Sequence, residues 1–162
     1  MSVSINKLHM KHLITFTLFV LLPLVVTAEL KEVSVALGPQ LFRTGDRITI
    51  EDVQATSSQF KIGDVVTVKG SYTLASHPEA NLSLYLTQTK SGGKKRVDPL
   101  QIVKVDSGSG DFEATITIRH EGTLHLTFYP VSGGSGFGGV YFGSPEQMNK
   151  IKHWSLDRYL GE

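Results

Sequence analysis

From residue 47 onward, apolar and polar residues alternate with period two, and Gly, Ser, Asp and Pro interrupt the alternation at short intervals. Period two places successive side chains on opposite faces of a strand, so each segment can bury one face and wet the other. Strand candidates are "VSVAL" (33–37), "RITIEDVQAT" (47–56), "VVTVKGSYTL" (65–74), "NLSLYLTQT" (81–89), "PLQIVKV" (99–105), "FEATITI" (112–118), "TLHLTFYPV" (123–131) and "VYFG" (140–143). "SHPE", "KSGGKK", "DSGSGD" and "RHEG" supply turns between them. Short strands at roughly 8- to 12-residue spacing, without helical crossovers, predict an all-β chain: an immunoglobulin-like antiparallel β-sandwich of about seven to eight strands. The stretch at 33–37 is expected as an added edge strand.

Both ends depart from this pattern. Residues 1–28 carry Lys7 and Lys11, no acid, an apolar run from Leu13 to Val26, and small residues Val26 and Ala28 before a cut. That is the pattern of a secretory signal peptide cleaved after Ala28, and the apolar run is too short for a spanning anchor. A secreted or periplasmic protein is expected, with no membrane span after cleavage. At the other end, "SPEQMNKIKHW" puts Ser144 at an N-cap, Pro145 at the first helical position and Gln147 three after the cap. This is a capping box opening a short helix, with Met148 and Ile151 on one side, expected to close one end of the sandwich. The organisation read from these signals is a leader at 1–28, an N-terminal extension at 29–41, a β domain at 42–143, and a helix and tail at 144–162.

Charge and cysteine content exclude several functions. Without the leader the chain has fourteen basic and fifteen acidic side chains, a net charge near −1. No basic stripe offers the electrostatic drive that nucleic-acid binding needs, and the "KKR" at 94–96 reads as a solvated turn. With no cysteine there is neither a disulfide framework nor thiolate chemistry, so stability rests on a packed core. An internal echo, "FRTGDRITI" (42–50) and "FKIGDVVTV" (60–68), reads as one strand opening used twice: Phe on the core, Gly-Asp in the turn, then alternation.

The motifs that look chemical are weak. "GSGFGG" contains G-x-G-x-x-G at Gly134, Gly136 and Gly139, but it precedes a strand, whereas a dinucleotide fingerprint opens a helix. It reads as a hairpin loop joining the last two strands. His120 and His125 are five apart, a spacing that fits neither a helical zinc pair nor neighbours on one strand face. They support only an alternative reading as a small exported metal-binding protein or hydrolase. No G-x-S-x-G elbow is present, and no catalytic, metal or cofactor site is assigned.

The more informative pattern lies on strand faces. With Leu82, Leu84, Leu86, Leu124, Leu126, Phe128, Val140 and Phe142 inward, the outward set is Tyr85, His125, Thr127, Tyr129 and Tyr141. An immunoglobulin-like order puts these strands side by side, so the outward residues form one patch beside the loop that carries Phe137. Tyrosine offers apolar area with a polar tip, suited to sugar rings or a protein partner, although tyrosine and threonine also favour strands for packing alone. The ligand-binding candidates are therefore Tyr85, His125, Thr127, Tyr129, Phe137 and Tyr141.

The run "GDRITIEDVQATSSQFKIGDVVTVKGSYTLASHPEANLSLY", with "GSGDFE", "HLTFYP" and "GGSGFGGVYFG", resembles a family of small exported bacterial all-β proteins. The resemblance spans about residues 42–144 and implies export and an all-β domain, with no catalytic residues. It draws attention to His77, His125, Tyr129, Pro130 and the glycine loop without giving them roles. The expected function is a secreted, non-enzymatic binding or interaction module for a polysaccharide or cell-envelope protein. A purely structural envelope role is the further alternative.

Overall fold

The computed structural model describes residues 29–89 and 96–161. The leader at 1–28 and the "KSGGKK" turn at 90–95 lie outside the described residues. The chain runs β1 (Lys31–Glu32), β2 (Ala36–Leu41), β3 (Arg47–Ala55), β4 (Val65–Gln88), β5 (Ile102–Thr117), β6 (Gly122–Tyr129), β7 (Gly138–Gly143) and helix α1 (Pro145–Ile151), then a 3-10 turn at Asp157–Tyr159. All pairings are antiparallel within one sheet of order β1-β3-β4-β6-β7-β2, with β5 laid along β4. The all-β antiparallel class is as expected.

The strand path differs from the expected run of short hairpins. "SHPE" and "DSGSGD" are not turns: they lie inside β4, 24 residues long, and β5, 16 residues long, which pair along their length. The reason is a bulge. Leu74 pairs with Gly108 but Glu79 with Asp106, so four residues of β4 face one of β5. This odd register shift moves the inward set of β5 from even positions (Phe112, Ala114, Ile116) to odd ones (Val103, Val105), and Gly108 takes the strain at φ +111°. A break in alternation flanked by Gly and Ser therefore marks a bent strand here. The bulge is held by Asp46, whose carboxylate accepts from the backbone N–H of Ala75 (2.8 Å) and Ser76 (2.9 Å) and from the Ser76 hydroxyl (2.5 Å).

Asp46 closes the first of the two echoed openings. Both build the same turn: Gly45 and Gly63 take positive φ (+87° and +97°), and Asp46 and Asp64 donate N–H to Arg43 and Lys61 at 3.0 Å.

The bent β4–β5 ribbon lets the sheet curl. The first half of β4 pairs with β3 and the second half with β6, and one apolar cluster gathers residues from both: Ile48, Val66 and Val68 with Leu84, Leu126 and Phe142. The N-terminal segment joins the two edges, since β1 pairs with β3 and β2 pairs with β7. It is therefore a pair of edge strands ending at Leu41, longer than the expected 33–37. Four Cα steps from Glu32 to Ala36 reach at most ~15 Å, so the end of β1 and the start of β2 lie that close together, and β3 and β7 themselves come into contact.

Helix α1 has the expected capping box: the Gln147 N–H donates to Ser144 Oγ (3.2 Å), and the Ser144 N–H to Gln147 Oε1 (3.0 Å). It lies on the outer face of β2 and β7, where Met148, Ile151, Leu156 and Tyr159 form a second cluster around Tyr141. The fit is close: a Cβ on Gly38 would come within 2.4 Å of Met148 Sδ. Among the described residues no helix is long and apolar enough to cross a membrane.

Candidate functional site

The register of β4, β6 and β7 decides which side chains share a face. Tyr85 pairs with His125, His125 with Tyr141, Ser83 with Thr127 and Asn81 with Tyr129. The five outward candidates thus lie on one face, as the alternation predicts, but they are not one open patch. Tyr141 and Thr127 are fully buried and His125 nearly so, while Tyr85 and Tyr129 are half-buried. The C-terminal segment makes the difference. Trp154 packs edge-on against Tyr141 (5.4 Å between ring centres), and the Tyr159 hydroxyl bonds Thr127 Oγ1 at 3.2 Å. The expectation that Tyr141 is an outward contact residue is corrected accordingly: its ring belongs to the second core.

Phe137 is likewise removed from the outer face. It is buried in the main core, stacked on His77 (3.8 Å) and near Phe128 (5.8 Å), with the Arg43 guanidinium 5.5 Å from its ring centre. Phe137 therefore anchors the glycine loop from within the core. The loop closes through the Phe137 N–H to Phe128 O (2.9 Å) and the Gly133 N–H to Pro130 O (2.9 Å). Its glycines serve geometry: Gly133 and Gly134 have positive φ (+86° and +121°), and a Cβ on Gly136 would meet Thr127 Cγ2 at 2.5 Å. The loop joins β6 to β7, as read from the sequence.

Beside the covered strip the same face opens into a groove of about 810 Å³. Tyr85, Thr87, His125 and Tyr129 form its floor, residues 133–136 one wall, and Arg158 and Tyr159 another, while Arg96, Arg119 and His120 line it elsewhere. Tyr85 and Tyr129 meet edge to face (5.6 Å), a stable aromatic arrangement, and His125 lies 6.3 Å from Tyr85. Below them runs a chain of polar contacts: Arg158 donates to the Tyr141 hydroxyl (3.1 Å), which bonds Thr87 Oγ1 (2.9 Å), which bonds His125 Nδ1 (3.2 Å). Burial pushes the Tyr129 hydroxyl well above its usual range, with the neighbouring Tyr159, Tyr85 and Tyr141 adding to the shift and Arg158 opposing it. Burial also raises Tyr159, against its hydrogen bond to Thr127. Both phenols stay protonated near neutral pH and can donate.

On the far rim Arg119 grips Asp98 with two bonds (2.7 and 2.8 Å), and the Thr117 N–H adds a third at 2.7 Å. The hydrogen bond from Arg119, above all, holds the Asp98 carboxyl below its usual 3.8 despite burial. Of the "KKR" cluster, Arg96 lines the groove; Lys94 and Lys95 lie outside the described residues.

The alternation missed Arg158 and Tyr159. Their only signal was an aromatic–basic pair in the tail "SLDRYL", beyond the helix that the periodicity identifies. His120 and His125 both line the groove, but among the described residues no three His, Cys, Asp or Glu side chains gather as a metal site. Ser76, His77 and Asp46 are in contact, with Ser76 Oγ 2.8 Å from His77 Nδ1. The Ser76 proton goes to Asp46, so the histidine does not act as its base; the group fastens the bulge. Compared with protein-family models, curated proteins and solved structures, the chain gives no match in any of the three.

Proposed function

We propose that this protein is a binding module whose ligand is a polysaccharide, held on the outer face of β4 and β6 between the glycine loop and the C-terminal turn. The observation that carries this reading is the Tyr85–Tyr129 edge-to-face pair on the floor of the groove. Two rings fixed against each other give a rigid apolar platform for a sugar face, at little entropic cost on binding. Around them Asn81, Thr87, Gln88 and the phenol hydroxyls offer the mixed donors and acceptors that sugar hydroxyls require. The lining holds no Asp or Glu among the described residues, so the carboxylate pair of most glycosidases has no counterpart in it.

Export, which the pattern of residues 1–28 suggests, belongs to the same proposal, with the cell envelope or exterior as the compartment. So does kinship with small exported bacterial all-β proteins, supported by the quoted motifs. An immunoglobulin-like outline is favoured by the N-terminal segment, which leaves the β3 edge for the β7 edge.

The test is calorimetric titration of the chain from Glu29 to Glu162 against a panel of neutral and acidic oligosaccharides, beside Tyr85→Ala. Binding that weakens about tenfold or more in the variant, with an unchanged unfolding midpoint, supports the module. Affinity equal in both proteins, or no binding at all, sinks it.

A further inference from the structure

We propose that the polysaccharide is acidic, and that Arg158 receives the carboxylate of a uronic acid residue while Tyr85 and Tyr129 pack on the sugar. This rests on the polysaccharide reading and adds the chemical class of the ligand. The chain as a whole is close to neutral, yet the groove is not: Arg96, Arg119 and Arg158 line it, and no acidic side chain among the described residues does. Asp98 offsets Arg119 on the far rim. Among the described residues, no such carboxylate pairs with Arg158.

Arg158 is also held in place. Its guanidinium sits 5.4 Å from the centre of the Tyr159 ring and donates one bond to the Tyr141 hydroxyl at 3.1 Å. Tyr159 is itself buried, and its hydroxyl is tied to Thr127. A guanidinium fixed by a ring and a hydroxyl keeps its remaining N–H groups for a ligand and loses little freedom when one binds. Arg158 lines the same groove as Tyr85, Tyr129 and Tyr159, so cation and aromatic floor share one space. A planar fork beside two rings matches the two ends of a uronic acid: a flat carboxylate and an apolar ring face.

The experiment compares an oligogalacturonate with the same oligomer after methyl esterification, which removes the charge and leaves the ring. Each is titrated into wild type, Arg158→Gln and Tyr85→Ala. The expected result is wild-type preference for the acid form by about tenfold or more, weakened by added salt and abolished in Arg158→Gln, which still binds the ester. Retained ester binding also shows that the variant is folded. Equal affinity for both oligomers, lost in Tyr85→Ala, overturns the acidic inference and leaves the polysaccharide reading standing. An acid preference that survives in Arg158→Gln overturns the role of Arg158. No binding of either oligomer, or of any other saccharide, brings down both.

Discussion

Tyr85 and Tyr141 stand in one cross-strand row, on either side of His125, yet Tyr85 remains half-exposed on the groove and Tyr141 is fully buried. Nothing in the strands separates them; what separates them is the segment after β7, which lays Met148, Ile151, Trp154 and Tyr159 over one end of the row. The same residue types at the same pleat positions thus make a second core where they are covered and a candidate binding floor where they are not. Exposure here is decided by a cover that arrives from elsewhere in the chain.

The sharpest way to break this comparison is to remove the cover. Deleting residues 145–162 uncovers Tyr141 and strips four large buried side chains, so a loss of ~5 kcal/mol or more is expected in urea unfolding. A truncated chain with an unchanged midpoint would show the cover to be incidental. Next in size is Tyr141→Ala, expected to cost ~3–5 kcal/mol, because it empties a sealed site and strands its hydroxyl partners Thr87 and Arg158.

The open end keeps its shape differently, through the Asp98–Arg119 pair on its rim, and Asp98→Asn is expected to cost ~1.5–3 kcal/mol. Acid weakens this rim pair. The Asp98 carboxyl titrates below its usual 3.8 when folded, so its stabilising effect is complete above that value and is lost as pH falls through the lower, folded value. Asp64 behaves alike: burial alone would raise it, but hydrogen bonds from Ser57, the Lys61 N–H and Thr56 hold it down. Stability measured between pH 5 and pH 2 should therefore fall less steeply in Asp98→Asn than in wild type.

Smaller effects sharpen the contrast. Thr127→Val removes the bond to Tyr159 and should cost ~1 kcal/mol, seen as a lower unfolding midpoint. Tyr85→Ala should change stability least, by under ~1 kcal/mol, while carrying the loss of saccharide affinity. A stability loss in Tyr85→Ala matching that of Tyr141→Ala would erase the distinction between floor and core.

Much of this molecule was legible in the residues. The Gly-Asp openings, the capping box at Ser144 and the inward leucines of β4 and β6 follow from local rules, and they stand where those rules put them. The adjacency of the strands carrying Tyr85, His125 and Tyr141 was legible too. Two things were not. A turn and a multi-residue bulge leave the same trace, a lapse in alternation rich in Gly and Ser, and only the pairing of Leu74 with Gly108 and Glu79 with Asp106 tells them apart. Burial of an outward tyrosine also depends on side chains outside its own strand, and nothing in the alternation of β7 announces Trp154 or Tyr159.

The split N-terminal segment bears on the order of events in time. Residues 36–41 leave the ribosome early, yet their partner β7 comes almost last, at Gly138–Gly143. The two edges of the sheet cannot be joined until nearly the whole chain has been delivered. Pairings this distant in sequence make for slow folding, because loop closure must precede the contacts that reward it. Before that moment the chain has an open sheet and no finished core; afterwards β2 and the last strand lock together, and the fold completes at its seam.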